Sequence, residues 1–157
     1  CKAYSSDASH LAATRLQAPA TAGGPDAFAI LAERISKEPL APVVMGGDQQ
    51  WVTLVRWVLF TLILAEEQGI TRANLAAKWP ALKQRQLEAW KVAGGSEKNY
   101  GHLIGASDDL GFNVISAVGN YGEIYERNLG AGSPLKIERG LNRLWSDGGL
   151  MYAPPID

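Results

Sequence analysis

The chain has 157 residues, of which 46% are hydrophobic and 20% are charged. This balance is that of an ordinary globular domain with a sizeable core, and it argues against a disordered chain. The 15 basic and 16 acidic residues give a formal net charge of -1 and form no runs, which excludes an electrostatic footprint for nucleic acid or for an acidic membrane surface.

The first residues predict a short strand followed by a helix. Residues 1–5 alternate like a strand, Asp7 can cap a helix, and residues 8–16 form its body. Because a strand needs neighbours and none precedes this one, we expect the chain to be the rear part of something larger.

The next stretch is rich in proline and glycine. The turn APATAGGPD at residues 18–26 ends the first helix, and AFAILAERIS at residues 27–36 is predicted to be extended or weakly helical. Pro39 and Pro42 exclude a helix interior and favour an extended backbone. This stretch therefore suits a connector between two lobes.

The strongest helix is predicted to begin after Asp48, a capping residue, and to close at Gly69, a residue typical of helix ends. Between residues 51 and 64 only three residues interrupt the apolar run. That run is too short and too interrupted for a bilayer, which needs about 20 predominantly apolar residues. The helix is instead expected to be central and packed on most sides.

Short helices are predicted over the rest of the chain. Thr71 caps one that reaches about Lys78, and Pro80 starts another that runs to Val92. Further helices are predicted for LGFNVISAV from Asp108 or Asp109, for YGEIYERNL from Asn120 to Gly130, and for LKIERGLNRLW before residues 147–149. The pattern is rich in helix and poor in strand.

Metal and catalytic chemistry find little support in the sequence. His10 and His102 stand alone and one cysteine cannot build a thiolate cluster, so neither a metal nor another cofactor is expected. The nucleophiles near His10 are Ser5, Ser6 and Cys1. The sequence around them contains no nucleophile-elbow motif and no obvious third residue of a catalytic triad. A hydrolase is therefore a distant hypothesis, and we do not expect an enzyme.

Cys1 is either a buried free thiol or a half-cystine whose partner lies elsewhere.

Asp7 is the strongest candidate for a binding residue. It lies where the predicted strand ends and the helix begins, just after Ser5 and Ser6, and open α/β sheets bind ligands at that edge. A carboxylate there can accept charge-assisted hydrogen bonds from an ammonium group, and the serine hydroxyls can add neutral ones. The alternative is a plain helix cap that contributes about 1 kcal/mol.

Three stretches carry a resemblance to one family. They are YSSDASHLAATR, then ISKEPLAPVVMGGDQQWVTLVRWVLFTLILAEEQGI, and finally VGNYGEIYERNLG with SPLKIERGLNRLWSDGGLMYAPPI. Together they resemble the carboxyl-terminal half of the periplasmic general L-amino-acid-binding proteins that feed ABC importers. The turn at residues 18–26 and the segment 82–105 depart from the family pattern.

The resemblance implies an α/β fold, the two-lobed clamshell of type II periplasmic binding proteins, of which this chain is a helix-rich carboxyl-terminal part with few strands. It places residues 1–34 at the end of the second lobe and residues 35–44 on a crossover between lobes. Residues 45–157 then form the carboxyl-terminal part of the first lobe with its helical extension.

The resemblance also implies a ligand and a partner. Asp7 matches the acidic residue that grips the α-ammonium group of the ligand, with Ser6 and Ser5 beside it. The arginine that usually holds the α-carboxylate of the ligand lies outside this chain. The parent protein would capture L-amino acids in the periplasm and deliver them to an ABC permease in the membrane.

Two expectations follow for the chain by itself. Because such a protein closes by burying its ligand between lobes, we expect this chain alone to bind free amino acid weakly or not at all. Unpaired strand edges and exposed apolar surface would favour a domain-swapped homodimer or a complex with a complementary chain. The competing hypothesis is a self-contained helical interaction domain without small-molecule binding, which a helix-only bundle would support.

Overall fold

A computed structural model describes residues 2–92 and 105–154, with backbone alone for residues 85–92. The helices in these ranges are α1 (Ala8–Leu16), α2 (Gln49–Glu67), α3 (Leu75–Val92), α4 (Leu110–Val118) and α5 (Tyr121–Asn128). Single 3-10 turns lie at Ala20–Ala22, Pro25–Ala27, Gly140–Asn142 and Trp145–Asp147. Within the same ranges no β-strand forms, and one isolated parallel bridge joins Leu144 to Met151.

The chain divides into two compact units. Unit 1 comprises Cys1–Ala41 and Tyr125–Arg139, and unit 2 comprises Pro42–Ile124 and Gly140–Asp157. Across the part of the chain that the structure describes, no helix combines the length and apolarity that crossing a membrane requires.

The amino-terminal part of unit 1 corrects one prediction. Residues 2–7 form no strand, because a strand is stable only when paired and no described segment pairs with them. Helix α1 does begin where predicted, with Asp7 at its N-cap position and Gln17 at its C-cap. The predicted part of the strand at Cys1 lies outside the described residues.

The carboxyl-terminal part of unit 1 is built around Tyr125. This side chain is buried, its hydroxyl donates to the Glu138 carbonyl at 3.2 Å, and the guanidinium carbon of Arg139 lies 5.6 Å from the centre of its ring. The Ile137 N–H donates to the Leu129 carbonyl at 2.8 Å.

These contacts explain why the helix predicted for LKIERGLNRLW is wrong. Residues 135–139 are not helical, and Lys136 has a φ of 49°, a left-handed conformation that a helix interior does not allow. The Glu138 carbonyl, which a helix would have used for a backbone bond, instead accepts the Tyr125 hydroxyl, and the Ile137 N–H donates to the Leu129 carbonyl. Only the 3-10 turn Gly140–Asn142 remains of the predicted element.

Helix α2 of unit 2 begins and ends as predicted. The Asp48 carboxylate caps it by accepting the Trp51 N–H at 2.9 Å. At the other end, Gly69 has a φ of 60° and the Ile70 N–H donates to the Ala65 carbonyl at 2.7 Å. With the Gly69 N–H on the Glu66 carbonyl at 2.9 Å, these bonds form a Schellman motif.

Helix α3 differs from the prediction because it is one helix rather than two. Pro80 lies inside it instead of starting a new one, and a proline there removes one hydrogen bond of the helix at a cost of about 3 kcal/mol. Two contacts offset that cost, since Leu75 is buried in the core and Trp79 packs against that core. Tertiary packing therefore overrides the local signal.

The core of unit 2 lies where α4 packs against α2 and α3. Its buried members are Ala65, Ile70, Leu75 and Ile115. They are surrounded by the partly buried side chains of Leu62, Trp79, Leu82, Phe112 and Val114. Most of the residues of α2 beyond its first turn are buried or half-buried, in agreement with its predicted central position.

Helix α5 begins with a reciprocal cap, and the two capping side chains also bind the turn after α2. The Asn120 side chain accepts the Glu123 N–H at 2.8 Å, and the Glu123 carboxylate accepts the Asn120 N–H at 2.8 Å. The same carboxylate accepts the Arg72 N–H at 3.0 Å, and the buried Asn120 amide donates to the Ile70 carbonyl at 2.7 Å. The predicted start of this helix at Asn120 is confirmed.

Candidate functional site

The predicted binding residues lie at the amino end of α1. Asp7 holds the N-cap position with φ -56° and ψ 145°, and its backbone carbonyl accepts the Leu11 N–H at 2.9 Å. Its carboxylate forms no capping hydrogen bond with the helix. The Asp7 side chain therefore does not cap the helix in the structure, and the residue is exposed.

Ser5 and Ser6 precede Asp7 in a segment without regular structure, and all three residues are exposed. Within the described residues, none of the three side chains takes part in an internal hydrogen bond or ion pair. The structure thus brings the predicted residues together on one exposed stretch. Their polar groups are available to a ligand rather than used by the fold.

An aromatic pair lies on either side of Asp7 in the sequence. The rings of Tyr4 and His10 meet edge to face, with centroids 6.1 Å apart and planes at 61°. Sequence reasoning considered His10 only as a lone metal ligand or a base for a serine, and it missed Tyr4. The two residues are separated by an irregular segment, so no helical or strand spacing in the sequence signals this contact.

Two other kinds of site gain no support from this geometry. A serine hydrolase would need Ser6 hydrogen-bonded to His10, and the described residues contain no such bond, while Cys1 lies outside them. Nor do any three histidine, cysteine, aspartate or glutamate side chains within residues 2–92 and 105–154 converge as a group that could hold a metal ion.

Comparison with known proteins shows similarity along nearly the whole chain. The chain is 49% identical to the general L-amino acid-binding periplasmic protein AapJ of Rhizobium johnstonii. It is 44% identical to the glutamate/glutamine/aspartate/asparagine-binding protein BztA of Rhodobacter capsulatus. Each match covers 99% of this chain but only 44% of the relative. No family model matches the sequence.

A solved structure agrees with these relatives. The ABC transporter/periplasmic binding protein from Brucella ovis with glutathione bound is 41% identical and matches with a TM-score of 0.82. The match covers 97% of this chain and 46% of that chain. The fold is therefore part of a periplasmic binding protein, as predicted.

These comparisons define the class of protein. Along nearly its whole length the chain is similar to periplasmic amino-acid-binding proteins of ABC transporters, which confirms the resemblance carried by its motifs. It spans 44% of the length of the curated relatives it matches. The competing helical interaction domain is not favoured, because a match over 97% of the chain outweighs the lack of strands among the described residues.

Proposed function

We propose that this chain contributes part of a periplasmic solute-binding protein that captures L-amino acids and delivers them to an ABC permease. The observation that carries the proposal is the similarity of the whole chain to proteins named for that task, at 49% and 44% identity. The chain acts by binding and not by catalysis. Its place of action is the periplasm, as the names of its relatives suggest.

The ligand class follows from what the relatives share. BztA is named for four acidic and amide amino acids, and the Brucella protein holds glutathione. Each of these molecules carries a free α-ammonium beside an α-carboxylate. The proposed ligand is therefore an L-amino acid or a small peptide-like molecule with a free amino-acid end.

Asp7 is the proposed holder of the α-ammonium group. Its carboxylate is exposed, has no capping bond to α1, and follows Ser5 and Ser6. An ammonium group in that position would gain charge-assisted hydrogen bonds from the carboxylate, and the two hydroxyls would add neutral ones. The remaining contacts of the ligand would come from the part of the protein that this chain does not span.

The proposed arrangement of lobes follows the family fold. Residues 1–34 would belong to the end of the second lobe, residues 35–44 to the crossover, and residues 45–157 to the first lobe. With Asp7 on one wall of a cleft, this chain alone should bind free amino acid weakly or not at all, because the opposite wall is needed to enclose the ligand.

The test uses a chimera, called the AapJ chimera below, in which this chain replaces its matching segment in the Rhizobium johnstonii protein. Calorimetric titration with L-glutamate, L-glutamine and glutathione should show binding by the chimera. We expect Asp7→Asn to weaken binding of all three ligands by about 30-fold or more, since truncating one side of a buried charge pair costs about 2–5 kcal/mol.

Asp26→Asn is the matched control, because Asp26 is another exposed aspartate of unit 1 and lies in the 3-10 turn Pro25–Ala27. It should leave each affinity within about twofold of the unchanged chimera, as distant surface substitutions do. A folded chimera that binds none of the three ligands would refute the proposed function. Equal affinities for the Asp7→Asn and Asp26→Asn variants would refute the role of Asp7.

A further inference from the structure

Unit 1 contains a run of five apolar residues, Phe28–Ala32, of which all but the half-buried Ile30 are exposed to solvent. We call them the docking segment; their sequence is FAILA. The Phe28 side chain is 49% exposed and the Leu31 side chain 72%. A continuous apolar run of this length is typical of a strand buried on both faces of a parallel sheet, so the environment in the structure contradicts the sequence pattern.

The backbone of the docking segment is also unpaired. Phe28 has φ -121° and ψ 128°, values of a β-strand. Among the described residues, the N–H groups of residues 29–32 form no hydrogen bond. An extended run with free N–H groups is what a sheet edge recognises when it accepts another strand.

The carbonyl groups at and just after the end of the segment accept only local, exposed hydrogen bonds. One guanidinium nitrogen of Arg34 accounts for three bonds, to the carbonyls of Leu31 at 2.8 Å, Ala32 at 3.1 Å and Glu33 at 3.4 Å. All of these bonds are local and exposed. Replacing them with ladder bonds to another strand would therefore cost little.

We infer that the docking segment is a strand that pairs with a sheet edge supplied by the part of the binding-protein fold that this chain does not span. The Brucella structure supports this choice of partner, because the match takes up only 46% of that chain and more than half of the fold lies outside it. Pairing would cover the exposed Phe28 ring and the aliphatic side chains beside it, and it would satisfy the N–H groups that face the partner strand. The inference concerns assembly of the protein and does not depend on which ligand it binds.

The test is amide hydrogen exchange, measured on the isolated chain and on the AapJ chimera. In the isolated chain, residues 29–32 should exchange at nearly the rate of an unfolded peptide. In the chimera, alternate amides of this stretch, either 29 and 31 or 30 and 32, should exchange more slowly by about 100-fold or more, as expected for hydrogen bonds that open only with a stable unit.

Proline substitutions at two adjacent positions separate pairing from mere burial. Because the N–H groups of a strand point alternately to its two sides, one of Ile30→Pro and Leu31→Pro removes a donor that faces the partner and should abolish the slow exchange in the chimera, whereas Leu31→Val keeps every donor and should retain it. In the isolated chain none of these variants should change the helical circular dichroism signal, because residues 30 and 31 lie outside every helix.

Three outcomes would overturn the inference. The first is equally fast exchange of the segment in the isolated chain and in the folded chimera, and the second is slow exchange that survives both Ile30→Pro and Leu31→Pro. The third is protection that grows with the concentration of the isolated chain, which would make a second copy the partner. Failure to bind amino acids would refute the proposed function and would leave this exchange result unaffected.

Discussion

The core of unit 2 and the docking segment of unit 1 have similar apolar side chains in opposite environments. Ile115 in α4 is 2% exposed, whereas Leu31 is 72% exposed and Ile35 just beyond the segment is 89% exposed. The difference lies in the partners, because α2 and α3 supply the surroundings of Ile115 from within the chain. An apolar pattern therefore predicts that a residue will be buried, but not which chain segment buries it.

The largest difference should come from matched truncations in these two regions. Ile115→Ala should lower the free energy of unfolding by about 2–5 kcal/mol, because it leaves a cavity in a packed core. Leu31→Ala should change it by no more than about 0.5 kcal/mol in the isolated chain, since an exposed side chain loses few contacts. Urea unfolding followed by circular dichroism measures both. Similar losses for the two variants would show that Leu31 is packed after all.

A second test addresses polar groups. Asn120→Ala should cost about 1–3 kcal/mol, because it leaves the buried Ile70 carbonyl without its donor at 2.7 Å and removes the cap of α5. Asn113→Ala on the exposed face of α4 is the control and should change stability by less than about 0.5 kcal/mol. All five tryptophans fall within the residue ranges of unit 2, so their fluorescence during urea unfolding reports this unit. An Asn120→Ala variant as stable as Asn113→Ala would contradict the role of the buried amide.

The smallest of the three effects is expected at a helix end. Gly69→Ala should destabilise unit 2 by about 1–2 kcal/mol, because a φ of 60° places a β-carbon in a left-handed conformation. Gly46→Ala introduces the same methyl group where no heavy atom lies within 4 Å and where φ is not positive, so its stability should stay within about 0.5 kcal/mol. Thermal melting of the two variants compares them directly. Equal melting temperatures would mean that the Schellman motif contributes nothing measurable.

The sequence predicted those features of the fold that depend on neighbouring residues. The caps at Asp48 and Asn120 and the helix end at Gly69 are each set by bonds within a few residues, and the structure confirms them. The three mistaken elements, which are the strand before α1, the helix break at Pro80 and the helix from residue 135, depended on tertiary contacts. Pro80 is tolerated inside α3 because Leu75 and Trp79 are packed in the core.

The site was predictable only in part. The positions of Asp7, Ser6 and Ser5 before a helix could be deduced from the local pattern, whereas a role in binding an ammonium group came from the family resemblance. The contact of the Tyr4 and His10 rings was missed because it depends on the path of an irregular segment. No helical or strand period brings those two residues together.

The bond between the Asn120 amide and the Ile70 carbonyl has a consequence for synthesis of the protein. The two residues are 50 positions apart, and a ribosome adds about 5–20 residues per second. The Ile70 carbonyl, in the turn just after α2, therefore waits about 3–10 s for its donor while α3 and α4 are being made. During that interval the Schellman turn must hold the end of α2 by its own local bonds.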